Sequence, residues 1–367
     1  MKILYDYQMF SREKFGGIPK YFCELMKNIP SEHQINLSVI LSHNQYLKED
    51  YDFFKKIIIP WPEKEFIGKS FFKKKIDFLN RQYSRHSISS NKYDIFHPTF
   101  YNDYFLDLLK KPYIITVHDL IIFKFKNTMY RKDLLRCQME EKVIKKANRI
   151  ISISQNTKKD IVDIFNINPE KIDVIYHGFN KPDIKTKLNN YGRYILFVGR
   201  RDNYKNFKTF AKAASSLMKK ESDLKLVCVG NPFEKEEIED LKILKILEKT
   251  IALRVDEKTL NNLYSNAMVF VYPSLYEGFG MPILEAFANN CPVCLSNTSC
   301  FPEIAGNAAT YFDPNDHESI LEAIKKVLYD NSYKKQMINA GKKRLLNFSW
   351  AKTAEETIAS YKKAIII

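Results

Sequence analysis

No apolar run in this 367-residue chain approaches the ~20 residues that cross a bilayer, which excludes a spanning helix. The N-terminus, MKILYDYQMF, meets charged and polar residues too early for a signal peptide. It is expected to form the first buried strand of a cytoplasmic protein. Cysteine is sparse, and without a signal the six thiols (Cys23, Cys137, Cys228, Cys291, Cys294, Cys300) are read as reduced. Short-period repeats and low-complexity tracts are missing. Acidic residues are in deficit: 43 Asp and Glu stand against 58 Lys and Arg, a formal charge of +15. That excess calls for an anionic partner, whether nucleotide phosphates, nucleic acid or acidic lipid, and charge alone does not choose. No nucleic-acid-binding motif appears and the charge is spread along the chain, so nucleic acid is not expected.

What is present is alternation. A chain of this length exceeds one ordinary core, so two domains are expected. In the first half, strand patterns at Ile3–Tyr5, Ile35–Leu41, Asp94–His97, Ile114–His118, Ile150–Ile153 and Val174–Tyr176 alternate with helical ones such as Pro19–Asn28 and Lys132–Ala147. A second series runs through Tyr194–Val198, Leu224–Val229, Ala267–Tyr272, Pro292–Leu295 and Ala309–Phe312. Its helical patterns lie at Phe207–Lys219, Glu257–Ser265, Pro282–Asn289 and His317–Leu328. Such βαβ alternation predicts two doubly wound α/β domains with parallel sheets. The boundaries are set at residues 1–183, a polar linker at 184–192, 193–346, and a C-terminal helix at 347–367 crossing back to the first domain.

The most informative segment is YPSLYEGFGMPILE, Tyr272 to Glu285. A strand ends at Tyr272, a loop follows with Gly278 and Gly280, and Pro282 suits the first turn of a helix. The free N–H groups of a helix start, with glycines allowing close approach, favour a diphosphate. Glu277 and Glu285 flank that start, and each carboxylate can accept two hydroxyl hydrogen bonds. Geometry alone does not separate this from a glycine-rich turn with two solvent-facing glutamates. A second post-strand loop, Gly199 to Asn206, carries Arg200 and Lys205, suited to the charge of a departing diphosphate or to a merely solvated basic loop.

Cys291-Pro292-Val293-Cys294 has a redox or zinc spacing without a completing partner, and Asp50-Tyr51-Asp52 a metal-binding spacing without context. Neither is read as a metal site. The stretch Phe53–Arg85 interleaves lysines and arginines with Phe53, Phe54, Trp61, Phe66, Phe71, Phe72 and Phe78. That pattern fits an anionic membrane interface and equally an amphipathic helix facing a core.

Taken together, Gly199–Asn206, the Glu277-x7-Glu285 pattern and Phe301-Pro302-Glu303 resemble the retaining GT-B glycosyltransferases of family 4. Phe15-Gly16-Gly17-Ile18, Thr116-Val117-His118-Asp119, Tyr311-Phe312-Asp313-Pro314 and Phe348-Ser349-Trp350 extend the resemblance over nearly the whole chain. The GR-x4-KN and GFGMP forms resemble bacterial O-antigen or capsule mannosyltransferases. The resemblance implies two Rossmann-like domains facing across a cleft, and a metal-independent, retaining hexosyltransferase acting in surface polysaccharide synthesis. The implied substrates are a nucleotide sugar, GDP-mannose favoured over a UDP-sugar, and a glycan or lipid-linked acceptor.

The same resemblance implies the residue roles. Arg200 and Lys205 bind the donor diphosphate, Glu285 the ribose and Glu277 the sugar hydroxyls, with backbone at Phe279, Gly280 and Met281 completing the cradle. Arg254 and Val255 border the base. Gly16 and Gly17 approach the phosphates from the other domain, and His118 sits beside the sugar, although by itself it reads as a buried strand-end histidine. Tyr176-His177-Gly178 departs from the family pattern, which leaves His177 without an assigned role. A disaccharide phosphorylase or sugar-nucleotide epimerase on the same fold is the competing enzyme reading. A peripheral position at the inner face of the cytoplasmic membrane is expected if Phe53–Arg85 binds lipid.

Overall fold

Apolar runs such as Tyr194-Ile195-Leu196-Phe197-Val198 are buried along their whole length, the property of strands covered by helices on both faces of a parallel sheet. The computed structural model describes residues 1–54, 59–60, 69–125, 131–182, 191–201 and 203–366. Of the segment read as a linker, only Tyr191 and Gly192 lie among them. The chain divides into two units, Met1–Gly178 with Ser349–Ile367, and Phe179–Phe348.

The first unit contains β1 (Lys2–Tyr5), β2 (Gln34–Leu37), β3 (Leu41–Ser42), β4 (Ile59–Pro60), β5 (Ile95–His97), β6 (Ile114–Val117), β7 (Arg149–Ser152) and β8 (Ile172–Val174). Two parallel three-stranded sheets, β2-β1-β5 and β6-β7-β8, are joined by a parallel bridge between Phe96 and Tyr113. The expected strand Ile35–Leu41 is broken. Asn80 presents its carboxamide oxygen to the N–H groups of Ile40 and Leu41 at 2.9 and 3.1 Å, which draws the backbone away from β1. Leu41–Ser42 pairs instead with β4. The loops after β1 and β5 are tied by Asp6, whose buried carboxylate accepts from the Thr99 N–H at 2.8 Å, the Thr99 hydroxyl at 2.7 Å and the Gln8 amide at 2.7 Å.

The helix Trp350–Ile366 packs into this unit, and Trp350, Ala354, Ile358 and Tyr361 join its core. Gly178 is required where the chain passes Trp350, since a Cβ there would sit 2.3 Å from the Trp350 backbone nitrogen. The Tyr361 hydroxyl is 2.7 Å from the Tyr5 hydroxyl and 2.7 Å from His97 Nδ1, while His97 Nε2 is 3.0 Å from the Thr116 hydroxyl. Every polar atom of that buried chain is satisfied, as burial requires.

The second unit contains β9 (Tyr194–Val198), β10 (Lys225–Val229), β11 (Thr250–Leu253), β12 (Val269–Tyr272), β13 (Val293–Ser296) and β14 (Thr310–Phe312). They form one parallel sheet in the order β11-β10-β9-β12-β13-β14. The strand β11 was not anticipated. It is a short strand at the sheet edge, and its side chains are mostly half-buried. The helices Phe207–Lys220 and His317–Tyr329 supply Phe210, Leu217, Ile320, Ile324 and Val327 to a core with Ile195, Phe197, Val269 and Val271.

Two expectations follow. Tyr361→Phe strands a buried imidazole nitrogen and the Tyr5 hydroxyl, so urea denaturation should show a loss of about 1–3 kcal/mol. Burial holds His97 and His118 down to about 3 and His177 well below its ordinary 6.5. The unfolded chain therefore binds more protons than the folded one between pH 6.5 and about 3, and stability falls as pH drops through that window. Glu140, pushed up to about 8 by burial, works in the opposite sense as pH falls from 8 towards 4.5. Burial also raises the carboxyls of Asp6, Glu13, Asp77 and Glu356, which act in the same sense as Glu140. The three imidazoles are expected to dominate between pH 6.5 and 5, so urea midpoints should fall there, and a rise would contradict that expectation.

Candidate functional site

Parallel strands place all their carboxyl ends on one edge of the sheet, and ligands bind where the strand order reverses. In the second unit that point lies between β9 and β12: β10 and β11 follow β9 on one side, while β12, β13 and β14 lie on the other. The loop after β9 carries Arg200 and Lys205; the loop after β12 carries Glu277 through Gly280. Sequence spacing separates these loops by about seventy residues, and the fold joins them.

Lys205 Nζ lies 2.6 Å from Glu277 Oε1, with side chains only 12 and 11% exposed. The ammonium also lies 5.2 Å from the Tyr204 ring centroid and 5.5 Å from that of Tyr272, so aromatic faces and a carboxylate share its charge. The two loops are joined again where the Leu275 N–H donates to the Tyr204 carbonyl at 2.7 Å. The Glu277 N–H donates to the Ser299 hydroxyl at 3.0 Å, and that hydroxyl donates to the Glu277 carbonyl at 2.6 Å. Burial, reinforced by the Glu277 carboxylate, pushes the Tyr272 hydroxyl well above its ordinary range, so it stays a proton donor.

Gly280 begins the helix Met281–Ala288 with φ +94°, a conformation open to glycine and strained for other residues. A Cβ there would also meet the Ile283 Cδ1 at 2.9 Å. Pro282, which carries no N–H, occupies the first turn, the Ile283 N–H donates to the Gly280 carbonyl at 2.9 Å, and no side chain caps the helix start. Phe279 is buried against Phe348 with ring centroids 5.9 Å apart. Glu285 lies in the helix, and its Oε2 accepts from the Tyr264 hydroxyl at 3.0 Å. Tyr264 is fully buried, and burial with the Glu285 carboxylate beside it keeps its hydroxyl protonated.

The two adjacent arginines are used differently. Arg201 pairs with Glu237 through Nε at 2.6 Å and Nη2 at 3.1 Å, donates to the carbonyls of Asn231 and Pro232, and covers the Phe233 ring at 4.6 Å. It braces the loop. Arg200 is exposed in the same loop. Arg254, after β11, donates to the Asn231 Oδ1 at 2.8 Å, and the half-buried Val255 follows it. These residues share the edge of the sheet that holds Lys205.

In the first unit, Gly16 stands immediately before the helix Gly17–Asn28. His118 follows β6 and is buried among Tyr21, Phe22 and His177, with ring centroids at 5.1, 6.2 and 5.8 Å. Its Nε2 has no hydrogen-bond partner among the described residues, and burial keeps the ring neutral. His177 is packed between Tyr21 and Trp350 at 4.7 and 6.1 Å, which gives it a packing role. The six cysteines are all buried, and none of them forms a disulfide. Among the described residues no group of three or more His, Cys, Asp and Glu side chains is arranged to hold a metal.

Sequence reading did not single out Tyr264, Tyr272 or Ser299. Tyr272 stood inside the quoted motif, but its contact with Glu277 depends on how the loop folds back. Tyr264 lies about twenty residues from the Glu285 carboxylate it touches, and Ser299 as far from the Glu277 backbone it holds, and no local pattern signals either contact.

Residues 180–344 match the family described as glycosyl transferases group 1, and residues 15–181 match glycosyltransferase family 4. The chain is 33% identical over 214 residues to the O-antigen chain mannosyltransferase RfbU of Salmonella typhimurium, an alignment spanning 58% of this chain and 60% of that one. It is 30% identical over 287 residues to O-antigen chain mannosyltransferase B of Escherichia coli, spanning 73% of this chain and 74% of that one. Among solved structures, Anabaena HepE in complex with UDP and glucose superposes with a TM-score of 0.73 over 98% of this chain and 99% of that chain at 13% identity. WaaG, a glycosyltransferase involved in lipopolysaccharide biosynthesis, gives 0.68 over 97% of this chain and 98% of that one, also at 13%. These two likenesses establish the fold. With the fold, the two family matches and the mannosyltransferase alignment in agreement, the chain belongs to the GT-B glycosyltransferases of family 4.

Proposed function

We propose that the protein transfers a hexose, mannose before others, from a nucleoside-diphosphate sugar to a glycan or lipid-linked acceptor in surface polysaccharide synthesis. The observation that carries this reading is the Lys205–Glu277 pair beside an uncapped helix start: a cation for the diphosphate, amides for its oxygens and a carboxylate for the sugar hydroxyls. Arg200 adds charge for the departing diphosphate. Glu285, with one oxygen already held by Tyr264, offers the other to the ribose. Arg254 and Val255 flank the base, and Phe279, Gly280 and Met281 supply the cradle. The mannosyltransferase names of the aligned relatives favour GDP-mannose, while the UDP complex of HepE keeps a UDP-sugar in play.

We further propose a retaining, metal-independent reaction. No described side chain beside Glu277 is placed as an obvious covalent nucleophile. The leaving phosphate, neutralised by Arg200 and Lys205, then takes the acceptor proton while the acceptor oxygen bonds to the anomeric carbon on the face the phosphate leaves. Neutral His118 offers a hydrogen bond to a sugar hydroxyl, and Gly16 and Gly17, at a helix start, offer amides to an anion. We also propose a functional division into residues 1–183, a linker at 184–192, residues 193–346 and a C-terminal helix at 347–367, beside the described units that divide at Gly178 and Ser349. A phosphorylase or epimerase gains no support from any described feature.

A thermal-shift screen of GDP-, UDP-, ADP- and dTDP-sugars is expected to show stabilisation by one base class, GDP-mannose first, because a ligand that binds the native state raises its stability. No stabilisation by any of them would sink the reading. Lys205→Ala is expected to lower turnover by about a hundred- to a thousandfold, with a smaller change in donor KM, as for loss of one transition-state donor. Wild-type turnover would remove Lys205 from catalysis.

For localisation, we propose a peripheral position on an anionic membrane. Residues 55–58 and 61–68 of Phe53–Arg85 lie outside the described residues. In the helix Lys69–Ser89, Phe72, Phe78, Leu79 and Tyr83 are exposed beside the exposed Lys73, Lys74 and Lys75. Each surface cation contributes about 1 kcal/mol at an anionic bilayer. The protein is expected to float with vesicles of anionic lipid at low salt and to be released at high salt; failure to float at low salt would end the idea.

A further inference from the structure

Ser299 has φ +57°, a left-handed conformation that glycine adopts freely and serine does not. It lies in the turn between β13 and the helix Phe301–Ala305. β12 and β13 are parallel neighbours, so this turn stands beside the loop that carries Glu277. A residue held in a sparsely populated conformation at such a place points to a constraint worth its strain.

The constraint is visible in its hydrogen bonds. One hydroxyl accepts from the Glu277 N–H at 3.0 Å and donates to the Glu277 carbonyl at 2.6 Å. Gripping both backbone groups of a single residue restricts its φ and ψ together, and with them the direction of its side chain. Glycine in this position would relieve the backbone and lose both bonds. Alanine would keep the strain and lose both bonds. Only a short hydroxyl combines the donor and the acceptor at that reach, and a β-branched threonine tolerates positive φ poorly.

We propose that Ser299 is a positioning residue for catalysis: by clamping the Glu277 backbone it aims the Glu277 carboxylate, which Lys205 meets from the other loop, at the sugar of the donor. The proposal rests on the reading of Glu277 as the sugar-contacting carboxylate. The Glu277 carboxylate is thus fixed from two directions, through its backbone by Ser299 and through its oxygen by Lys205 at 2.6 Å. The Tyr204 carbonyl, which accepts from Leu275 at 2.7 Å, holds the start of the same loop. Loss of the clamp lets the loop carry the carboxylate off its mark while the diphosphate contacts remain.

The test is steady-state kinetics of Ser299→Ala, Ser299→Gly and Glu277→Ala with the sugar nucleotide that the thermal-shift screen selects. Misplacement by an ångström costs up to about a hundredfold, so kcat is expected to fall between about tenfold and a hundredfold in both Ser299 variants. Donor KM and the inhibition constant of the free nucleoside diphosphate should change little. The melting temperature of Ser299→Gly should match or exceed that of Ser299→Ala, since glycine relieves the strain, which separates lost aim from lost fold. Wild-type kcat in Ser299→Gly overturns the proposal, as does a loss confined to nucleotide affinity. If Glu277→Ala itself keeps wild-type turnover, the reading of Glu277 fails; if Glu277→Ala is inactive while Ser299→Gly is not, only the role of Ser299 fails.

Discussion

The edge of the second sheet where β9 and β12 part depends on one contact between opposite charges, Lys205 with Glu277. Each side chain is largely withdrawn from water, where a lone charge would be costly, and each is acceptable there because of the other. The pair also explains the neighbours. Tyr272 and Tyr204 present ring faces to the ammonium, and Ser299 and the Tyr204 carbonyl fix the backbone that brings the carboxylate to it. Removing any one of these leaves the others serving a charge that has moved.

Topology is what makes the contact possible. Because β9 and β12 are adjacent and parallel, their following loops leave the sheet side by side, although Lys205 and Glu277 are distant in sequence. The first unit repeats the device. β1 and β5 are adjacent and parallel with their successors wound to opposite sides, and Asp6 after β1 bonds to Thr99 after β5. There the joint is a satisfied, buried carboxylate that stiffens the edge. In the second unit it is an ion pair between the loops after β9 and β12.

The sequence made most of this legible, with instructive exceptions. The strand Tyr194–Val198 is read to the residue because five consecutive apolar side chains suit a strand covered on both faces. The break at Ile40 was invisible, because its cause is Asn80, forty residues away. The strand Thr250–Leu253 was missed because half-buried edge strands carry little apolar signal. In the candidate site, Glu277, Glu285 and Lys205 are named from local motif and resemblance, whereas Tyr264 and Ser299 are not. Their contacts arise from strand adjacency, and one-dimensional spacing does not encode which loop returns to which.

The helix Trp350–Ile366 supplies Ala354, Ile358 and Tyr361 to a core whose other members end at Ile175, and so it imposes an order of assembly. During synthesis the first unit emerges early and must wait, with Tyr5, His97 and the pocket for Trp350 uncovered, while all of the second unit is made. The second unit, Phe179–Phe348, is contiguous and can close on its own core in that interval. The unit begun first is therefore the one finished last, and its exposed surface during the wait is where a chaperone would have reason to bind.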